Sequence, residues 1–263
     1  MTIDIPTMLP TCIQIALFIV LLILSVRMIR ESGRSLTAVF LTFTLSLWLF
    51  TDLYWVIYDF MRPDRRMPFA VNEIGEAAIF LLMPALLSSA VNYHLLSARK
   101  QVAGTVLFVA CNVALWIAWS GEWVQDILIG AAFAYFLCSI VCALKVQRQL
   151  STKEWIGLGI ACTLLIIAQV LTFFVEPKTR ATVEMGCYVF LIAGAVYWVY
   201  KLIAAHKKQT PSKAVLCLVL ALLGWLMMAK YMSGGMWYSA FMVAETVALL
   251  LMYLSVRKVV ADA

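Results

Sequence analysis

The chain reads as an all-α integral membrane protein: a polytopic bundle of about nine transmembrane helices, N-terminus outside and C-terminus cytoplasmic. Three observations predict this: an extreme apolar composition, a regular succession of apolar runs, and a charge pattern that alternates between the connections. Of 263 residues, 64% are apolar and 13% charged. Soluble domains hold about 45–50% apolar residues and roughly a quarter charged ones. A water-soluble fold has no interior large enough for that surplus, so lipid is the expected solvent for most of the chain. The apolar runs follow one another without an intervening soluble segment, which predicts a single transmembrane domain over residues 1–263.

A helix needs about 20 apolar residues to cross roughly 30 Å of hydrocarbon. The first span is 10–28; Asp4 precedes it and Arg27, Arg30 and Arg34 follow. A cleavable signal carries its positive charge ahead of the apolar run, so this is expected to be a retained helix. The second span, 36–58, closes on Trp55 and Tyr58. The third, 69–92, opens with Asn72, Glu73 and Glu76 and contains Pro84. The fourth and fifth, 101–119 and 124–144, are split by Ser120-Gly121-Glu122, and the fifth places Gly130, Ala134, Cys138 and Cys142 on one small-residue stripe suited to helix contact. The sixth, 154–175, repeats that theme with Gly157 and Ala161; the seventh is 182–203. The eighth, 213–231, ends near Lys230, whose stem can snorkel to the interface. The ninth, 236–256, follows Ser233-Gly234-Gly235 and carries Glu245. Either short break could belong to a re-entrant hairpin; aromatic residues on both sides favour two spans.

Charge supports the same count. One set of alternate connections (27–35, 93–100, 145–154, 201–213, 257–263) holds fourteen Lys/Arg against three acids, whereas the rest of the chain holds six against eleven. The positive-inside rule puts the first set in the cytoplasm. The basic excess therefore reports topology and attraction to anionic headgroups, and gives no reason to expect nucleic-acid binding. Aromatic belts agree, with Trp119, Trp123, Trp237 and Tyr238 on the outer side and Trp155, Trp198, Tyr200 and Tyr253 on the inner.

The seven cysteines all lie within apolar runs without a C-x-x-C, and histidine occurs only at 94 and 206. This argues against a disulfide framework and against a metal or haem site, and no cofactor is expected. H-E-x-x-H, G-x-S-x-G, P-loop and G-x-G-x-x-G motifs are absent from the sequence.

The segment with the most chemistry is 52–76, with five acids and three arginines. Asp52 and Asp59 lie two helical turns apart, with Tyr58 near them; Asn72, Glu73 and Glu76 fall at helical spacings that share a face. With a rise of about 1.5 Å per residue, Asp52 and Glu76 both come roughly 10 Å below the outer surface. A carboxylate at such depth costs about 2–3 kcal/mol, so the pair is expected to face the bundle or a water-filled vestibule. Pro84 cannot donate to the carbonyl of Phe80, one turn beyond Glu76, and this is either a simple kink or a cavity wall. Glu245 is the most deeply placed carboxyl. The arginines, Arg62 among them, either neutralise the acids locally or present a planar fork to an anionic group.

The candidate solute- or ion-binding residues are thus Asp52, Tyr58, Asp59, Arg62, Asn72, Glu73, Glu76 and Glu245. Three readings stay open. The leading one is a small transporter or ion/solute carrier of the cell membrane with an outward-facing acidic vestibule on the second and third spans. The second is a membrane sensor or accessory subunit that binds a ligand or a protein partner at its outer face. The third is an intramembrane lipid-modifying enzyme, with paired carboxylates as acid and base; no nucleophile supports it, so the balance leans away from an enzyme.

Overall fold

The computed structural model describes residues 5–33, 35–61, 69–91, 99, 103–104, 106–107, 109–110, 123–147, 150–171, 174–208, 210–229 and 235–262, and every regular element among them is helical. The helices are α1 (Ile5–Glu31), α2 (Leu36–Met61), α3 (Phe69–Val91), α4 (Trp123–Val146), α5 (Thr152–Leu171), α6 (Pro177–Lys207), α7 (Pro211–Ala229) and α8 (Gly235–Ala261). Helices stand where eight of the nine apolar runs predict them. In the remaining run, 101–119, the described residues between 103 and 110 are helical, and 111–122 lie outside the described residues. Among the described residues, three stretches are long and apolar enough to cross a membrane: Leu9–Glu31, Leu36–Tyr58 and Met185–Ala205.

Local chemistry sets several helix ends. Pro177 and Pro211 occupy the first positions of α6 and α7, where a missing N–H costs nothing. Ser151 and Glu154 form a capping box at the start of α5. The Ser151 amide donates to Glu154 Oε2 (2.7 Å) and the Glu154 amide to Ser151 Oγ (3.4 Å). Past the end of α1, Gly33 adopts φ +63°, a left-handed conformation that suits glycine. No atom lies within 4 Å of where its Cβ would stand, so Gly33→Ala meets backbone strain without a clash. It is expected to lower stability by about 1 kcal/mol, and a melt of the detergent-solubilised protein would measure this.

Ring contacts and polar contacts reveal the helix directions. Phe18 packs on Trp48, 6.5 Å between centroids, across the antiparallel α1–α2 hairpin. Phe80 of α3 packs on Phe133 and Phe136 of α4, at 5.3 and 5.9 Å, and Gln147 just past α4 reaches the carbonyl of Val91 at the end of α3. Residue numbers rise together on the two helices, so α3 and α4 are parallel neighbours. Pro84 is buried on α3, beside the buried Met83 and Leu86.

α7 is the central helix. Every residue from Ala214 to Leu222 is buried, and α7 packs against α3, α4, α6 and α8. A helix apolar all round belongs in such a position. α8 also lies against α1 and α2, closing the bundle. α5 and α6 form a flank, with Ile156, Ile160, Leu164, Val189, Ile192 and Val196 exposed, a surface suited to lipid.

A polar latch joins this flank. Glu154 Oε1 accepts from Tyr197 Oη and Lys201 Nζ, each at 2.6 Å, while its other oxygen caps α5. The carboxyl thus serves three partners. Glu154→Gln is expected to cost about 1 kcal/mol, given the partial exposure of the pair, and the deficit should shrink with added salt in thermal melts.

Candidate functional site

The structure gathers buried polar groups where α1, α2 and α8 meet. On α1 the buried positions are Thr11, Gln14, Phe18, Leu21, Ser25 and Met28, a stripe at alternating spacings of three and four that faces the bundle. On α2 the corresponding stripe is Thr37, Ala38, Leu41, Thr44, Leu45, Trp48 and Leu49. The Phe18–Trp48 contact sets the register between them. One turn back along α1 is Gln14, and one turn forward along α2 is Asp52, so the antiparallel hairpin brings these two opposite each other. α8 supplies Glu245 from its buried stripe Met242, Glu245, Ala248, Leu249 and Met252.

Glu245 is only 5% exposed and Gln14 is wholly buried. Asp52 is partly exposed, with its Oδ2 atom buried and lacking a hydrogen-bond partner. Asp52 and Glu245 lie close enough to repel each other as anions. The Gln14 amide approaches the Glu245 carboxyl, yet neither its nitrogen nor its oxygen completes a hydrogen bond of good geometry with any protein group. That contact is therefore a proximity short of a bond. Three nearby hydroxyls donate within their own helices: Thr51 to Leu47 (2.9 Å), Thr44 to Phe40 (2.8 Å) and Thr246 to Met242 (2.7 Å).

The arrangement offers an all-oxygen donor set of two carboxylates and an amide carbonyl in a medium of low polarity. Two carboxylates brought together there repel strongly, and a positive charge between them removes the repulsion. Binding a cation or a proton is the chemistry such a set can do. Among the described residues no group of three or more His, Cys, Asp or Glu side chains is placed to hold a metal ion.

The sequence-derived candidates divide accordingly. Asp52 and Glu245 come together, although 52 was expected to act with 76. The Tyr58 ring pairs with Tyr54, 6.1 Å between centroids, about 120° around α2 from Asp52. Asp59 lies on α2, and Asn72, Glu73 and Glu76 on α3, but their side chains fall outside the described residues, as does Arg62 altogether. Gln14 was missed. Its signal was available: Thr11, Gln14 and Ser25 lie along one stripe of an otherwise apolar run, which marks the face turned to the bundle. Compared with protein families, curated proteins and solved structures, the chain matches none of them.

Proposed function

We propose that the chain is a small multi-pass carrier of the cell membrane that binds a cation or cationic solute at Gln14, Asp52 and Glu245. The observation that carries this reading is the convergence of two carboxyls and an unpartnered, fully buried amide on three helices. Each acid costs about 2.5–3.5 kcal/mol near a helix centre, and an unsatisfied buried amide about 1–3 kcal/mol. Groups held at that cost are functional candidates by default in a membrane protein. The acidic site of this reading stands on α1, α2 and α8; the vestibule expected on the second and third spans involves side chains of α3 outside the described residues.

Nine spans, with the N-terminus outside and the C-terminus cytoplasmic, suit this function. The parallel α3–α4 pair supports a crossing between residues 92 and 122, and α1 runs parallel to α8, as the first and last of an odd number of spans must. With this orientation the cluster lies roughly 10 Å below the outer surface, as reckoned from the apolar start of α1. A reporter active only in the cytoplasm should give signal when fused after Ala263 and none when fused before Met1; the reverse pattern would invert the site to the inner side. Proteoliposomes containing purified protein test the function itself. Uptake of a cation, or counterflow of protons, should depend on Asp52 and Glu245 and be insensitive to Glu154→Gln. Wild-type vesicles no more permeable than empty ones to alkali cations, protons and small organic cations would count against a carrier.

A further inference from the structure

We infer that the Gln14–Asp52–Glu245 cluster holds a single dehydrated alkali cation of about the size of sodium, with a proton as its competitor. The inference rests on the cation-site reading above and deepens it by naming the occupant. Three observations lead there.

The first is the donor set. Glu245 and Asp52 supply up to four carboxylate oxygens and Gln14 Oε1 a fifth, with no thiolate or imidazole contributed. Hard oxygen donors select alkali and alkaline-earth ions over transition metals. Calcium takes six to eight oxygens, and magnesium demands a near-ideal octahedron. Three side chains undersupply both, whereas alkali ions accept small and irregular oxygen sets. A carrier must also release its ion, which weaker binding of a single charge favours.

The second is space. Along the three stripes the neighbouring levels are filled by buried side chains: Thr11 and Met242 toward one end, and Phe18, Trp48, Ala248 and Leu249 toward the other. An organic ammonium would need room for its carbon skeleton beside these buried side chains, whereas a bare ion needs none. Asp52 is the partly exposed member, so entry is from its side.

The third is Gln14. It is 0% exposed, next to the Glu245 carboxyl, and both its amide atoms lack partners. A glutamine whose only role was to neutralise Glu245 would donate a good hydrogen bond to it. Left unbonded, its carbonyl is available to an ion, and its NH2 can turn to the carboxylates when the ion leaves.

Proton competition follows from the surroundings. α1, α2 and α7 pack on α8. Among their described side chains, Asp52 is the charged group level with Glu245. Arg27, Arg30 and Glu31 of α1, Lys213 of α7, and Tyr253, Arg257 and Lys258 of α8 lie toward the other end of their helices, as do Cys217 and the Arg27–Tyr253 interaction. Cys12, Tyr54 and Tyr58 are the other described titratable side chains on the same half of these helices, Cys12 exposed and the tyrosine rings paired on another face of α2. No described cation faces the carboxyls, and a proton or a metal ion would each neutralise them.

The test is a melt of purified full-length protein in detergent at constant ionic strength, replacing choline chloride with NaCl, LiCl, KCl, CaCl2 or MgCl2 at pH 6 and pH 8. NaCl is expected to raise the midpoint by about 3 °C or more at pH 8. One-for-one competition should weaken its apparent affinity by as much as about tenfold per pH unit on acidification. The sodium response should vanish in Asp52→Asn and Glu245→Gln and persist in Glu154→Gln. Gln14→Leu covers the case in which a carboxyl variant fails to fold: it should weaken sodium binding about tenfold while melting in choline no lower than wild type, since it removes an unpartnered amide. Stabilisation by CaCl2 or MgCl2 without NaCl would overturn the monovalent inference and leave the cation-site reading standing. A response to pH alone would overturn it too, leaving a proton site. If wild type and Glu245→Gln respond alike to every salt and both pH values, both readings fall.

Discussion

Glu245→Gln is expected to abolish cation-dependent flux while leaving a folded, monodisperse protein in the membrane. The substitution keeps side-chain volume and hydrogen-bonding capacity, so the packing around Met242, Ala248 and Leu249 has no cause to change. What it removes is one of two negative charges in a setting of low polarity. A unit charge about 4 Å from a cation contributes about 4 kcal/mol at an effective dielectric of 20, equivalent to roughly a thousandfold in affinity. The variant also loses the repulsion between residue 245 and Asp52, so in the absence of ligand it should melt at or above the wild-type temperature. Together, lost flux and retained stability identify a binding group. Flux unchanged by both Glu245→Gln and Asp52→Asn would refute the site; where a carboxyl variant unfolds, Gln14→Leu carries the test.

Phe18→Ala should produce the largest loss of stability among single substitutions on α1. Phe18 is wholly buried and packs on Trp48 and the core. Removing a buried phenyl ring costs about 3–5 kcal/mol, because the surroundings collapse only in part. Contact between helices in lipid depends on such packing, since lipid tails are as apolar as the side chains themselves. The same contact also fixes the register that sets Gln14 opposite Asp52. Loss of midpoint temperature should therefore be accompanied by weakened cation binding in whatever fraction remains folded. Phe18→Leu, which keeps an apolar side chain there, should recover most of both. A Phe18→Ala protein with a wild-type melt would show that the α1–α2 contact is set elsewhere.

The helices were legible because the requirement behind them is local. An apolar run long enough to span hydrocarbon must satisfy its own backbone hydrogen bonds, and a helix does this within the segment. Pro177, Pro211 and the Ser151–Glu154 capping box also act over a few residues. The site was legible in part. Depth identified Asp52 and Glu245 as costly, but depth says nothing of which helix faces which. The nearest acid in sequence to share the level of Asp52 is Glu76, whose side chain lies outside the described residues. In the structure the described carboxyl neighbour of Asp52 is Glu245, nearly two hundred residues away.

From the sequence by itself came the helical character of the chain, its membrane-compatible apolar runs and the presence of carboxyls too deep to face lipid. Those follow from hydration and backbone hydrogen bonding, which each segment settles alone. Only the tertiary structure decided that α8 returns to lie on α1 and α2, that α7 is the central helix, and that Gln14 and Asp52 both come near Glu245. The reason is that periodicity defines a buried face without naming its partner. The partner is chosen by side-chain fit between helices, such as Phe18 on Trp48 and Phe80 on Phe133 and Phe136, and fit exists only once the helices have met.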